Sequence, residues 1–325
     1  MIEVLACGPM VSIQDDGRPG WVSQGLSQGG AADPMARVEA ARLLGEAPGA
    51  GLESAGGPLR LAVGEATTLA FTGAPMVVQT TDGPLDWHAC HRVEAGTVLD
   101  LRPGSVGVYS YVHVAGGLLT EERLGSRSAH QIAQIGGAIQ AGERLPIARE
   151  TAPRPSLRLS RIPDRFEGGS LRIVPTPQTI LFPKAERDRF EQTTFIRDPR
   201  GNRQGIRLDM PGPGFATEGQ LSLLSDFIFP GDLQMTGDGV PYILGPECQT
   251  TGGYPRIGTI IPQDLPRALQ APVGARLSFR FVSIADLRDD GPPGVEPRIR
   301  APSEVPDLLA QQLIGGVVSA RGDLD

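Results

Sequence analysis

Between Leu59 and Val114 the sequence runs LRLAV, TTLAFTG, APMVVQT and VGVYSYVHVAGG, short apolar stretches cut by turn residues, and this spacing leaves few folds open. A helix needs roughly ten or more periodic residues to bury a face, whereas alternating runs of about five to eight bounded by glycine or proline read as strands. The chain carries 43 glycines and 30 prolines in 325 residues, a share that would signal disorder if no apolar runs lay between them. With those runs present, the same residues become the turns of a mainly β protein with a few helices. One pattern of a glycine turn feeding a strand recurs as VEAGTVLDL from Val93, IQAGERLPI from Ile139 and APVGARLSF from Ala271.

The length admits two domains, each with its own core. We expect a β-rich domain over residues 1–150, a linker rich in proline and arginine over 151–170, a second β-rich domain over 171–288, and a tail over 289–325. Residues 2–14 read as one apolar strand. Asp33-Pro34 starts a helix that runs through MARVEAARLL to Gly45, with aspartate at the N-cap and proline at the first helical position. PKAERDRFEQ, from Pro183, reads as a solvated helix, and DLLAQQLIGGVV, from Asp307, as a short helix in the tail.

Charge and residue usage exclude several functions. A formal net charge of −7 without any basic tract argues against nucleic acid or an anionic membrane as the main partner. The start, MIEVLACGPMVSI, lacks the basic flank of a signal peptide, no stretch is apolar enough to span a bilayer, and the three cysteines are scattered. These features point to the reducing cytoplasm. Among the 30 basic residues only Lys184 is a lysine. The chain therefore has no P-loop, no Met-Lys-Met site for attaching biotin, and no plausible Schiff-base lysine.

Several segments could carry chemistry. QTTGGYPRIGTIIPQDL, from Gln249 to Leu265, concentrates the hydroxyls of Thr250 and Thr251 and the paired Gly252-Gly253 before a strand, which suits a binding loop on a rigid support. The glycines would allow positive φ or a close backbone approach. Gln14, Asp15 and Arg18 crowd a turn after an apolar run, either as an anion clamp and proton relay or as a structural pair locking the turn. GSRS, at Gly125–Ser128, places two hydroxyls around an arginine, as an anion site or an ordinary turn. In WHACH, His88 and Cys90 would share one strand face and His91 the other, so a metal is not expected. His113 reads as a satisfied core histidine, and Cys248 as a buried thiol without a base to activate it.

Taken in order, SIQDDGRPGW at Ser12–Trp21, GGAADP at Gly29–Pro34, GSRS, GNRQGIRL at Gly201–Leu208 and the Gln249–Leu265 stretch resemble the motifs of one bacterial family. It includes the C subunit of 5-oxoprolinase, the KipA-type proteins and the carboxyltransferase half of urea amidolyase. The resemblance covers roughly residues 2–285. This chain departs from it at Gly29 (usually serine), Ala32 (usually methionine) and Ala129-His130 (usually Thr-Asp). It implies a C-terminal cyclophilin-like barrel, and a candidate catalytic set of Asp15, Arg18, Ser126, Arg127 and Ser128. The implied substrate-binding set is Gln14, Gln234, Gln249, Thr250, Thr251, Gly252, Gly253, Tyr254 and Arg256. It further implies ATP-dependent opening of 5-oxo-L-proline to L-glutamate in an assembly with the KipI-like B subunit and the A subunit of 5-oxoprolinase. ATP would be held with or by those partners, and biotin is not attached to this chain. A biotin-dependent carboxyltransferase acting on urea or a similar amide is the alternative enzyme, and a KipA-like antagonist binding a KipI-like kinase inhibitor the non-enzymatic one.

Overall fold

A computed structural model describes residues 1–150, 154–217, 223–287 and 291–298. The fold is mainly β. Its first unit is a sandwich of two antiparallel sheets. The outer sheet has six strands in the order Arg144–Leu145, Ile2–Cys7, Leu59–Val63, Val98–Pro103, Met76–Thr80, Gly83–Leu85. The inner sheet has five, ordered Val11–Gln14, Gly51–Ala55, Tyr109–Val114, Thr67–Gly73, Cys90–Val93. Ile2, Val4, Leu61, Leu99, Phe71 and Val112 fill the space between them.

Strand periodicity explains which sheet is inside. LRLAV alternates buried and open positions, as a strand with one solvated face must, whereas TTLAFTG and YSYVHV are buried at every position. Val112 and Val114 point into the sandwich. Tyr109 and Tyr111, one residue out of phase, point the other way and join the core of the second unit. Helix α1 (Pro34–Leu44) covers part of that second face, packing Ala40, Leu43 and Leu44 on Ala70, Cys90 and Ala115. Its ends are those the sequence predicts: the Asp33 side chain accepts from the Ala36 N–H, and Gly45 closes the helix at φ 68°.

Residues 2–14 are not one strand. Gly8–Met10 breaks them into two strands that enter opposite sheets, with Met10 at φ 65° and Gly8 so close to Gly57 that an added Cβ would lie 2.8 Å from the Gly57 Cα. The three glycine turns form as expected, Gly96, Gly142 and Gly274 lying at φ 86°, 92° and 84°.

The second unit is a closed seven-stranded barrel ordered Gly169–Val174, Arg256–Ile260, Asp232–Met235, Pro241–Leu244, Gly205–Asp209, Phe195–Gly201, Arg276–Phe281. Parallel pairing of the last strand with the first, from Gly169↔Leu277 to Ile173↔Phe281, closes it. Helix α2 (Lys184–Gln192) delivers Phe190 to a cluster with Phe195, Phe215 and Phe279, with its ring centroid 4.9–5.3 Å from theirs. Helix α3 (Leu265–Gln270) ends at Gln270, whose amide accepts from the N–H groups of Val108 and Tyr109 and donates to Asp33. Among the described residues no helix is long and apolar enough to cross a membrane.

From residue 154 the segment between the units is tightly held. Leu157–Leu159 pairs with Val295–Pro297, and the Arg165 guanidinium bridges Asp33 at 2.7 Å and Glu39 at 2.6 and 2.9 Å. The helix expected from Asp307 lies outside the described residues.

A second buried guanidinium joins the barrel to the sandwich. Arg203 donates to Glu53 of the inner sheet, to the Gly30 carbonyl, and to Glu247 at 2.5 Å. Glu53 also accepts from Tyr111 at 2.7 Å and from the Ala32 N–H at 2.9 Å. Burial alone would lower the Arg203 pKa, but the two carboxylates hold it above its usual range. Arg203→Ala leaves both carboxylates buried without their cation and should cost about 3–5 kcal/mol, read as a lower midpoint in urea denaturation. A midpoint within error of wild type would mean that this seam contributes little.

Candidate functional site

The Gln249–Leu265 stretch leaves the barrel wall as a loop before it becomes a strand. Thr251–Gly252 pairs with Asp226–Phe227 in a two-stranded ribbon, and Tyr254-Pro255 leads into the strand Arg256–Ile260. The paired glycines differ in how closely their surroundings approach. A Cβ on Gly252 would sit 2.8 Å from Gln234 Nε2, whereas one on Gly253 would meet nothing nearer than Ser225 Oγ at 3.7 Å. Neither takes positive φ, and the atom nearest to Gly252 is the far end of a flexible side chain that can move aside, so neither backbone conformation nor space demands glycine here.

Three cavities surround this loop and share Cys248 as a wall. The first, about 540 Å³ at the barrel face, is lined by Arg200, Gln204, Gln234, Tyr242, Gln249 and Tyr254 over a floor of Ile228 and Leu244. The second, about 570 Å³, shares Gln204 and Gln249 with the first and is lined further by Ser27, His130, Glu247, Thr250 and Thr251. The third, about 340 Å³, runs between the units from Asp15, Ser27 and Arg37 to Phe229, Thr250 and Leu269.

The first cavity is lined by polar side chains that are half-buried or exposed. Among the described residues, the side-chain amides of Gln204, Gln234 and Gln249 and the phenols of Tyr242 and Tyr254 make no hydrogen bond within the protein. An amide offers a carbonyl acceptor and an N–H donor together, so a set of them complements a ligand that itself carries an amide. The nearby charge is Arg200, itself held by Asp198 at 2.8 and 2.6 Å.

Asp15 stands at the centre of a different arrangement. Its carboxylate accepts from Ser126 Oγ and Ser128 Oγ at 2.5 Å, from the Arg127 N–H at 2.7 Å and from the Gly17 N–H at 2.9 Å. Burial pushes the carboxyl up, but these four donors outweigh it and hold the pKa below the ordinary range. A carboxylate so saturated is a weak base, and the arrangement ties the GSRS turn to the start of the chain. The Arg18 guanidinium does not touch Asp15. It is 1% exposed and donates to the carbonyls of Arg123, Ser126 and Ser128. The Arg127 side chain donates to the Thr120 carbonyl, so its contribution to Asp15 comes from its backbone.

The expected site residues thus divide. Gln234, Gln249, Thr250, Thr251 and Tyr254 gather at the loop cavities, and Asp15 reaches the third of them. Arg18, Arg127 and Ser128 line a separate hollow of about 360 Å³. Gln14 is buried, its amide donating to Ser12 Oγ at 3.0 Å and the Ala129 carbonyl at 3.2 Å. Arg256 is occupied inside the barrel wall by Asp226, Asp232, Gln178 and the Phe227 carbonyl. Neither faces the loop cavities.

Sequence reasoning missed Ser27, Glu247, Gln204 and Tyr242, and met His130 only as a departure from the family pattern. Glu247 sits in the run GPECQ, where an isolated acid beside a signature loop is a signal, but its partner Arg203 is far away in sequence. The remaining candidates behave as burial dictates. The Cys248 thiol is pushed up to about 12 by burial and then by Asp232, which removes it as a nucleophile. In WHACH the side chains turn to separate partners: His88 to the Gly73 carbonyl, Cys90 to the Leu43 carbonyl, His91 to the Asp86 carbonyl. His113 corrects an expectation, because it is fully buried but neither ring nitrogen finds a hydrogen-bond partner. Burial, with a smaller push from Arg37, lowers it to about 3, and the neutral ring stacks on Tyr111 at 5.8 Å.

Residues 24–281 match the family model for the carboxyltransferase domain, subdomain A and B. The C subunit of 5-oxoprolinase from Escherichia coli (strain K12) is 31% identical over 292 residues, covering 88% of this chain and 93% of that protein. The urea amidolyase of Lachancea kluyveri is 26% identical over 310 residues, covering 86% of this chain but only 17% of that longer protein. The crystal structure of TTHA0988 matches with a TM-score of 0.75 at 28% identity, over 86% of this chain and 55% of that one.

Asp15→Asn removes the charge that four donors were built to meet and should lower stability by about 1–3 kcal/mol at pH 7. Because the folded pKa is depressed, that contribution is full above the unfolded value near ~3.9 and is lost as pH falls through the folded one. Unfolding midpoints of the two proteins should therefore converge in acid. A constant gap down to pH 2 would contradict this account.

Proposed function

The chain belongs to the carboxyltransferase domain family, subdomains A and B, and from that membership we propose that it is the C subunit of an ATP-dependent 5-oxoprolinase. In this reading it acts with a KipI-like B subunit and an A subunit to open 5-oxo-L-proline to L-glutamate. The observation that carries the reading is the cavity beside the signature loop, where the amides of Gln204, Gln234 and Gln249 and two phenols stand without protein partners. A five-membered lactam presents one carbonyl and one N–H in a fixed cis relation. An amide side chain can pair with both, and a phenol can donate to the carbonyl. Arg200 at the rim suits the ring carboxylate, which a lactam acid carries and a simple amide does not.

The same surroundings do not fit a triphosphate. Among the described residues Arg200 is the single cation on that cavity, enough for one carboxylate but not for the several charges of a triphosphate, and the chain's only lysine, Lys184, pairs with Asp188 on an exposed helix. ATP therefore belongs with the partner subunits in this proposal, supplying phosphoryl transfer that activates the lactam carbonyl. The part assigned to this chain is to bind and orient the lactam and to donate hydrogen bonds to oxygen as negative charge develops there. Asp15, Ser126, Arg127 and Ser128 support the wall behind the loop in this reading and do not act as an acid-base set.

The urea amidolyase relative supports a second reading. An amide-binding cavity would equally hold urea while a carboxyl group arrives on biotin borne by another protein. The presence of a carboxylate on the substrate separates the two, since only the lactam acid uses Arg200.

Mixing the chain with its A and B partners should yield glutamate from 5-oxo-L-proline only when ATP is present, and the chain alone should yield none. Gln234→Leu should lower kcat/KM about 10- to 100-fold, the loss of one or two substrate hydrogen bonds, without moving the thermal midpoint by more than about 2 °C. Glutamate formation by the partners without this chain would end the proposal. Unchanged kinetics in Gln234→Leu would move the substrate to another cavity.

A further inference from the structure

The 570 Å³ cavity shares Gln204, Gln249 and Cys248 with the amide-lined one, so a lactam held by those amides borders both, and Ser27, His130 and Glu247 meet on its lining. The trio has the residue types of a nucleophile, a base and an acid, but its hydrogen bonds exclude that use. His130 Nδ1 accepts the Ala133 backbone N–H at 3.1 Å, so it carries no proton. Glu247 Oε2 is 3.7 Å from Nδ1, and that carboxylate is already held by Arg203 at 2.5 Å and by the Ile132 N–H at 3.2 Å.

With Nδ1 fixed as an acceptor, the single proton of the neutral ring sits on Nε2, 2.9 Å from Ser27 Oγ. The serine must therefore accept, and His130 cannot withdraw its proton. Burial keeps the ring neutral, aided by the positive charges of Arg18 and Arg203 and opposed by Glu247. Ser27 is 7% exposed, borders two of the loop cavities, and finds no other partner among the described residues. Its own O–H is left to point at whatever occupies the space. The hydroxyls of Thr250 and Thr251 line the same cavity, and among the described residues no arginine or lysine side chain does.

We propose that His130 is a positioning residue that sets the polarity of Ser27, making the serine a hydrogen-bond donor to a carbonyl or carboxylate oxygen of the ligand. The inference deepens the lactam reading and rests on it for the identity of that ligand. An aspartate at position 130 would invert the arrangement: it would accept the serine proton and leave only oxygen lone pairs facing the cavity. A glutamine can donate from its amide as the imidazole does. Residue 130 would in this way decide whether the cavity takes an acceptor or a donor.

The test uses the three-component assembly and 5-oxo-L-proline. Ser27→Ala and His130→Asp should each raise KM about 5- to 20-fold with kcat within about twofold, the signature of one lost substrate hydrogen bond. The double variant should be no worse than either alone, and His130→Gln should stay within about threefold of wild type. A wild-type KM in His130→Asp, a glutamine variant as impaired as the aspartate one, or a loss confined to kcat would overturn the proposal. Independently of any turnover, 15N NMR of the chain with labelled histidine reads the tautomer. An Nε2–H ring supports the proposal and an Nδ1–H ring overturns it. If the wild-type assembly forms no glutamate, the lactam reading alone falls, and the tautomer decides the rest.

Discussion

The structure depends on a guanidinium that has no water to turn to. Arg203 leaves the barrel and inserts among Glu53, Glu247 and the Gly30 carbonyl, and its environment is acceptable only because every one of those acceptors is present. Taking such charges out of water costs several kcal/mol each, and attraction offsets that cost only when the geometry is close and complete. The pairs therefore specify how the two units sit together more than they add to stability. Glu53 continues the chain of contacts to Tyr111, and Tyr111 to the Asp33 N–H at the cap of α1, while Arg165 and Gln270 hold Asp33 from the other side.

That seam is what creates the loop cavities. Ser27 and His130 belong to the sandwich side of the chain and Thr250 and Thr251 to the barrel, and they share a cavity where Arg203 reaches Glu53 and the Gly30 carbonyl and Glu247 reaches the Ile132 N–H across the seam. The same Glu247 closes the back of the cavity by accepting the Ile132 N–H. Stability and site are thus coupled through one carboxylate. The amide-lined cavity, by contrast, draws its walls from barrel strands and the loops joining them, a rigid support for neutral side chains that need no charge to hold them.

The polar groups of this protein divide by whether their hydrogen bonds are already made. Asp15 has four donors and Arg256 four acceptors, so each is committed to holding a turn or a wall, whereas Arg18 meets three carbonyls and keeps a buried Nη1 without a partner among the described residues. Gln204, Gln234 and Gln249 have no side-chain partner among the described residues, and that difference separates the candidate binding surface from its scaffold. A charged residue in a conspicuous motif is a strong scaffold element because it can satisfy several backbone groups at once.

Legible in the chain were the β class, the closing of short strands by glycine turns, and the cap and stop of α1. These are local matters: strand alternation, the φ a glycine can adopt and the side chain that caps a helix are set by residues a few positions apart. Residues 2–14 misled, because the break at Met10 depends on Gly8 packing against Gly57 across the sheet. Asp15 and Arg18 stayed open between pairing and catalysis, because the choice turned on Ser126 and Ser128 more than a hundred residues away. Which polar turns share a cavity, and which side chains stay unpaired, was settled by the folded arrangement alone. A hydrogen bond is saturated or free according to what lies within about 3 Å in space, and no local pattern records that.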